Sequence, residues 1–173
     1  MTKKMRRTLG VAALVADLLT GCVVGVVDLD DDSHHSGDAE ASATFSRNLA
    51  WSDQIAVKVT GANGSVRIWG VPGAHEVVVD AVRRVRSDSR RDAEEHLADV
   101  QVSVQTGPQE FEIKTVQPNH SDGRSYIVDY EITVPAHLFP IVTQGNGFIR
   151  LEGIHADMEV TNGNGNVALV DVT

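Results

Sequence analysis

The sequence predicts an all-β fold, a β-solenoid-like stack of short strands with one amphipathic helix inserted. Apolar and polar residues alternate in many short stretches, which is the pattern of half-buried strands. Only 5% of the residues are aromatic and 15 are glycine, a composition that suits short strands joined by tight turns. Asn-Gly followed by alternating apolar residues occurs three times, in GANGSVRI, QGNGFIRL and NGNGNVAL.

Residues 1–21 predict a secretory signal. A basic stretch, MTKKMRR, precedes the short apolar stretch TLGVAALVADLLTGC, which ends in small residues before the only cysteine, Cys22. This pattern resembles a bacterial lipoprotein signal, which implies cleavage before Cys22, lipidation of its thiol and a domain outside the cytoplasmic membrane. The alternative is an uncleaved anchor over residues 8–27, in which Asp17 would lie near the bilayer centre at a high energetic cost.

Residues 22–47 are predicted to form the lipidated N-terminus and a flexible acidic tether. Beyond Val27 the segment is rich in Asp, Ser, Ala and Gly, so it buries too little apolar surface to offset the entropy lost on ordering. His34 and His35 beside several aspartates suggest weak metal capture, but a flexible segment does not organise a site. We therefore expect no metal and no cofactor.

The folded domain is predicted over residues 48–173, beginning with two short strands. Ile55, Val57 and Val59 share one face, and Val66 and Ile68 follow the first Asn-Gly turn. Two interpretations remain open for this segment. It is either a β-hairpin or one turn of a repeated coil, because Asn-Gly favours both kinds of corner. HEVVVDAVRRV then predicts another strand.

SDSRRDAEEHLADV interrupts the strands and predicts one amphipathic helix over Asp88–Asp99. It begins with capping residues and places Ala93, Leu97 and Val100 at helical spacing. VQVSVQT, QEFEIKTV and YIVDYEITVP resume the two-residue alternation of strands. The last of these places five apolar residues on one face: Tyr126, Val128, Tyr130, Ile132 and Val134.

An internal repeat of 18 residues closes the sequence. VTQGNGFIRLEGIH aligns with VTNGNGNVALVDVT, and six of the fourteen positions are identical. A fixed period of about 20 residues indicates a stack of coils. We expect Ile149 and Leu151 to point inward, and Asn146 to lie beside Asn164 with their side chains hydrogen bonded along the stack.

These segments carry a family resemblance. VKVTGANGSVRIWG, the helix, YEITVP and VTQGNGFIRLEGIHADMEVTNGNGNVALVDV together resemble the bacterial putative-adhesin domain of unknown function over roughly residues 50–173. The resemblance implies a β-solenoid-like fold on a secreted or membrane-anchored protein. It carries over no catalytic residue, and members of that family usually contain more repeats.

Two aromatic residues are candidates for a binding surface. Trp69 and Phe148 each stand out of phase with an inward neighbour, so each can point outward to stack on a sugar or contact a protein, or can instead be covered. Four charged residues of the repeat form an ordinary solvated face in our interpretation: Arg150, Glu152, Asp157 and Glu159. The net charge of −9 argues against nucleic acid as a partner.

The sequence therefore predicts a lipid-anchored, extracytoplasmic envelope protein whose domain binds or scaffolds without catalysis. Its expected partners are the membrane, through the lipid, and either a glycan or another envelope protein. Two alternatives are kept. One is a carbohydrate-active enzyme on the same β-helix shape, and the other is a structural or signalling partner of an envelope protein.

The anchoring prediction is tested at Cys22. The Cys22→Ser variant lacks the thiol that receives the lipid, so we expect it either to leave the membrane fraction or to accumulate as a precursor without lipid. Fractionation and intact mass spectrometry measure both outcomes. Membrane association at an unchanged mass would contradict the lipoprotein assignment.

Overall fold

The structure is a computed structural model that describes residues 39–173. The described residues form a short helix α1 (Arg90–Glu95), a 3-10 turn (Leu97–Asp99) and the strands β1 (Ala39–Ala50), β2 (Ala56–Asn63), β3 (Val66–Val71), β4 (Glu76–Ser87), β5 (Gln101–Thr106), β6 (Glu110–Val116), β7 (Ser125–Pro135), β8 (Phe139–Asn146), β9 (Ile149–Glu152), β10 (Glu159–Asn164) and β11 (Val167–Val170). The predicted all-β fold is confirmed.

The strands form two mixed sheets that enclose the core. One sheet has six strands in the order β1-β4-β7-β3-β9-β11, and the other has five in the order β10-β8-β2-β6-β5. In most strands alternate residues face inward and are buried, as the sequence predicts for β7 and β9, whereas β10 and β11 contain no buried residue. The largest buried side chains come from both sheets: Tyr130, Phe111, Ile68, Ile113, Ile132, Leu138, Ile149 and Leu151.

Three pairs of consecutive strands lie side by side, and each pair has one strand in each sheet. They are called unit one (β2–β3), unit two (β8–β9) and unit three (β10–β11). Within each sheet their strands pair in parallel, with Asn63 beside Asn146 and Asn146 beside Asn164. Leu169 lies beside Leu151, which lies beside Ile68. Because β2 and β3 belong to different sheets, the hairpin alternative for residues 55–69 is wrong.

The corner of each unit allows no side chain on its glycine. Gly64, Gly147 and Gly165 have φ values of +121°, +137° and +120°, which favour glycine. A Cβ on Gly147 would lie 1.7 Å from the carbonyl oxygen of Gly64, and one on Gly165 would lie 1.9 Å from that of Gly147. The corners therefore pack backbone against backbone. The repeated Asn-Gly motif places its glycine at this contact.

Side-chain amides connect the corners. Asn164 Nδ2 donates to Asn146 Oδ1 at 2.8 Å, and Asn146 Nδ2 donates to Asn63 Oδ1 at 2.9 Å. The predicted hydrogen bond between Asn146 and Asn164 is confirmed. Inside the stack, Gln144 Nε2 donates to the Gly64 carbonyl at 3.0 Å, and Asn162 Nδ2 donates to the Gly147 carbonyl at 3.0 Å.

The end of the sandwich formed by β1 and β5 is covered. Helix α1 packs on β1 and β4, and its Ala93 is fully buried. Arg47 of β1 donates to the Val104 carbonyl of β5 at 3.2 Å, joining the two sheets. Asp92 accepts two hydrogen bonds from Arg124, at 2.6 and 2.7 Å. The Arg124 guanidinium holds the pKa of the Asp92 carboxyl well below its usual range.

Three boundaries differ from the sequence predictions. Residues 39–47, expected in the tether, belong to β1, which pairs with β4 along its whole length. The helix is shorter than Asp88–Asp99 because it ends at Glu95 and a 3-10 turn follows. Ile55, expected inside, precedes β2 and is 65% exposed.

Substitution at a corner glycine is expected to be costly. Gly147→Ala combines a strained φ with a backbone collision, so we expect a loss of about 2 to 6 kcal/mol in the free energy of unfolding. Gly73→Ala is the matched control, because Gly73 has a φ of +75° and no heavy atom near the added Cβ. It should cost about 1 to 2 kcal/mol. Urea unfolding measures both, and equal losses would contradict the close packing of the corners.

A buried hydrogen bond between the sheets predicts alkaline sensitivity. The Tyr130 hydroxyl lies 2.7 Å from Thr115 Oγ1, and burial raises the pKa of Tyr130 to about 12. The folded state holds this proton more tightly than the unfolded chain, so stability is complete below about pH 10 and falls by about 2 kcal/mol towards pH 12. In Tyr130→Phe this part of the pH dependence should disappear. An unchanged slope above pH 10 would contradict the assignment.

Candidate functional site

The candidate site lies on the outward face of the six-stranded sheet, here called the outer wall. Outward positions of β4, β7, β3 and β9 alternate with the buried core positions. A groove of about 530 Å³ crosses this face. It is lined by Thr44, Phe45, Ser46, Ser65, Arg67, Asp80, Ala81, Val82, Arg84, Asp129 and Glu131.

Asp129 organises one end of the groove. Its Oδ1 accepts hydrogen bonds from the backbone N–H of Ser65 at 2.7 Å and from the Ser65 hydroxyl at 2.8 Å. Its other oxygen forms an ion pair with Arg84. The side chains of Arg84 and Asp129 are 30% and 25% exposed. These partners fix the orientation of the carboxylate, and the corner of unit one is thereby fastened to β7.

The second ion pair of the groove is looser. Arg67 Nη1 lies 3.2 Å from Glu131 Oε1, and the two side chains are 41% and 58% exposed. Asp80 lies beside Glu131 across the β4–β7 ladder and makes no hydrogen bond or ion pair with another described residue. The groove therefore offers a spare carboxylate, a weakly held guanidinium and several hydroxyl groups to a ligand.

Trp69 and Phe148 do not line this groove, but each lies next to a residue that does. Trp69 follows Arg67 by two residues on β3, so its side chain lies on the same face. Phe148 lies next to Ser65, because its carbonyl accepts the Val66 N–H at 2.9 Å. Both aromatic side chains are half-buried, whereas Ile68 and Ile149 beside them are fully buried. The structure thus brings the two predicted residues to one face.

The four charged residues of the repeat do not form one cluster. Arg150 Nη2 lies 2.7 Å from Glu152 Oε2 on the outer wall. Glu159 is on β10 in the other sheet, and Asp157 is exposed before it. Within residues 39–173, no group of three or more His, Cys, Asp and Glu side chains could hold a metal ion. The same residues contain no helix long and apolar enough to cross a membrane.

Sequence reasoning missed the groove residues. Asp80, Asp129 and Glu131 stand at the polar positions of two alternating segments, and such positions are usually solvated. Their clustering depends on β4 pairing with β7 and on β7 pairing with β3. The polar alternation in YIVDYEI was the available signal, but it does not indicate which strands are neighbours. Cys22 and the rest of residues 1–38 lie outside the described residues.

Comparisons with known proteins give structural likenesses at low identity. No family model matches the chain, and no curated protein matches it.

The chain is similar to three solved structures. One is "a putative cell adhesion protein" from Clostridium sporogenes, at 12% identity and a TM-score of 0.42, with 73% of this chain and 60% of that chain covered. The chain is also similar to "a putative adhesin" from Parabacteroides merdae, at 11% identity and a TM-score of 0.28, with 73% and 55% covered. A "putative adhesin" from Parabacteroides distasonis has 14% identity and a TM-score of 0.25, with 73% and 52% covered. The chain thus spans between half and two thirds of the length of these solved chains, which are described as adhesins or a cell adhesion protein.

Proposed function

We propose that this protein is a membrane-anchored envelope lipoprotein whose β-solenoid domain binds a glycan without cleaving it. The observation that carries the proposal is the groove on the outer wall, together with Trp69 and Phe148, which lie close to its lining residues Arg67 and Ser65. This groove combines ordered charged groups, hydroxyls and aromatic surface on one rigid face. Rigid sheets position such groups without an ordering cost on binding.

The chemistry of the groove suits a sugar. A carboxylate or guanidinium can form two hydrogen bonds with neighbouring hydroxyls, and Asp80 and Arg67 supply one of each kind. Aromatic faces contribute apolar contact area, and Trp69 and Phe148 are each partly exposed. Val82, which is 38% exposed, adds an apolar patch to the groove.

The solenoid interpretation is supported by the parallel stacking of the three units and by the shared corner. In a solenoid, each unit covers the inward face of the next, and outward residues form long surface rows. Such rows are suited to binding extended ligands. The predicted signal over residues 1–21, with Cys22 directly after it, supports attachment to the outer side of a bacterial membrane.

Carbohydrate cleavage is the second candidate. Asp80, Asp129 and Glu131 give the groove three carboxylates, and glycosidases use a pair of them as acid and base or nucleophile. Asp129 already accepts a hydrogen bond from Ser65 and forms an ion pair with Arg84. Its carboxylate is therefore not free to transfer a proton, which favours binding over cleavage. A polysaccharide-cleavage assay on the same sugars distinguishes the two activities.

The binding proposal is tested by a glycan array with the full-length protein, followed by titration of each sugar that binds. We expect Trp69→Ala and Phe148→Ala each to weaken binding at least about tenfold, or ~1.4 kcal/mol, through loss of apolar contact area. Phe139→Ala is the matched control, because Phe139 is a half-buried aromatic residue on β8 of the other sheet. It should bind as the wild type does.

Two results would overturn the proposal. The first is the absence of binding to any glycan on the array by protein that melts cooperatively. The second is release of shorter sugars during incubation, which would replace binding by catalysis.

A further inference from the structure

A row of polar and charged side chains crosses the groove on the outer wall. Ser46, Asp80, Glu131 and Arg67 are successive partners in the ladders β1–β4, β4–β7 and β7–β3. Paired strands lie about 4.8 Å apart and paired residues point to the same face, so each of these side chains stands next to the following one. The order of groups along the row is hydroxyl, carboxylate, carboxylate and guanidinium.

Asp80 is the carboxylate of the groove that has no cation beside it among the described residues. Asp129 forms an ion pair with Arg84, and Glu131 Oε1 lies 3.2 Å from Arg67 Nη1. Asp80 makes no hydrogen bond or ion pair with another described residue, and it stands directly opposite Glu131 in the ladder. Like charges in this arrangement destabilise a sheet. The groove thus retains a negative charge that a cationic ligand would compensate.

An ammonium group matches these acceptors. It carries one positive charge and three N–H donors, while Asp80, Glu131 and Ser46 provide two carboxylates and a hydroxyl oxygen. Hydrogen bonds between charged groups are stronger than neutral ones, and the cation also offsets the repulsion between the two carboxylates. A metal ion is a weaker match, because no group of three or more His, Cys, Asp and Glu side chains within residues 39–173 could hold one.

The charge of the groove also selects among sugars. Its lining contains three carboxylates and two guanidinium groups, and both guanidinium groups already form ion pairs. The formal net charge of the chain is −9. A sugar acid would be repelled by Asp80 and would compete with Glu131 for Arg67, whereas an amino sugar would be attracted.

We propose that the groove binds an amino sugar with a free amine, whose ammonium group lies between Asp80 and Glu131 and donates a hydrogen bond to each. This inference rests on the proposed glycan-binding function and specifies the class of its ligand. Ser46 accepts the third hydrogen bond. Asp80 determines the specificity, because an N-acetylated amine has neither the positive charge nor the three donors.

The test compares two sugars by isothermal titration calorimetry with the full-length protein. The probes are an oligomer of β-linked glucosamine and its fully N-acetylated counterpart of the same length. The buffer is mildly acidic, so that the sugar amine is protonated while Asp and Glu remain ionised. We expect the free-amine oligomer to bind at least about tenfold more tightly, and this preference to decrease at high salt.

A matched pair of variants locates the amine. Asp80→Asn keeps the shape of the side chain and removes its charge, so the free-amine oligomer should bind at least about tenfold more weakly, while the weaker binding of the acetylated oligomer is unchanged. This variant should melt no lower than the wild type, because it removes the repulsion with Glu131. Glu76→Gln removes the same charge from an exposed position of β4 outside the groove and should bind both oligomers as the wild type does.

Failure of ammonium recognition is distinguishable from failure of the glycan proposal. Equal affinity for the two oligomers, or binding of other glycans on the array but of neither oligomer, would overturn the amino-sugar assignment and leave glycan binding intact. Unaltered affinity of Asp80→Asn for the free-amine oligomer would place the amine elsewhere and overturn the assignment as well. Binding of a lysine oligopeptide that depends on Asp80, by protein that binds no glycan, would overturn both proposals and identify a protein segment as the ligand.

Discussion

Direct contact between the backbones of three successive corners is the constraint on which the rest of this domain depends. Gly64, Gly147 and Gly165 approach so closely that no side chain fits between them. Once these corners are in contact, the parallel ladders on either side have a single register. A shift of one residue would turn the buried row of each strand towards solvent, so the corner also decides which residues form the core.

The two faces of the domain follow from that register. Val66, Ile68 and their neighbours fill the space between the sheets, while Arg67 and Trp69 face outward. Residues 72–138, inserted between units one and two, extend both sheets on the side away from unit three. The groove is formed where this inserted part meets unit one, since Asp80 and Asp129 come from the insertion and Ser65 comes from the corner. The candidate site is therefore formed by residues from several separate segments of the chain.

Local pattern was sufficient to predict most of the strands, but not β1 and not which strands pair. The alternation in YIVDYEITVP identified the buried face of β7 because its inward residues are large and apolar. The same alternation exists in β1, but there the inward residues include Ala41 and Ala43. Small residues of this kind are also typical of linkers, so the pattern did not identify a strand. β1 is ordered by its pairing with β4, and the local sequence does not indicate this pairing. The groove was beyond prediction for the same reason, whereas the Asn146–Asn164 contact followed from an 18-residue spacing.

The separation of the units along the chain has a consequence for how the domain forms. Asn146 and Asn164 are 18 residues apart, but Asn63 and Asn146 are separated by 83. Units two and three can meet early, yet unit two finds its other neighbour only after a long loop has closed. Contacts of this kind make folding slow, since chain entropy is lost before the non-local strands are paired. Until that loop closes, the strands of unit two have an unpaired edge, and unpaired strand edges readily pair with other chains.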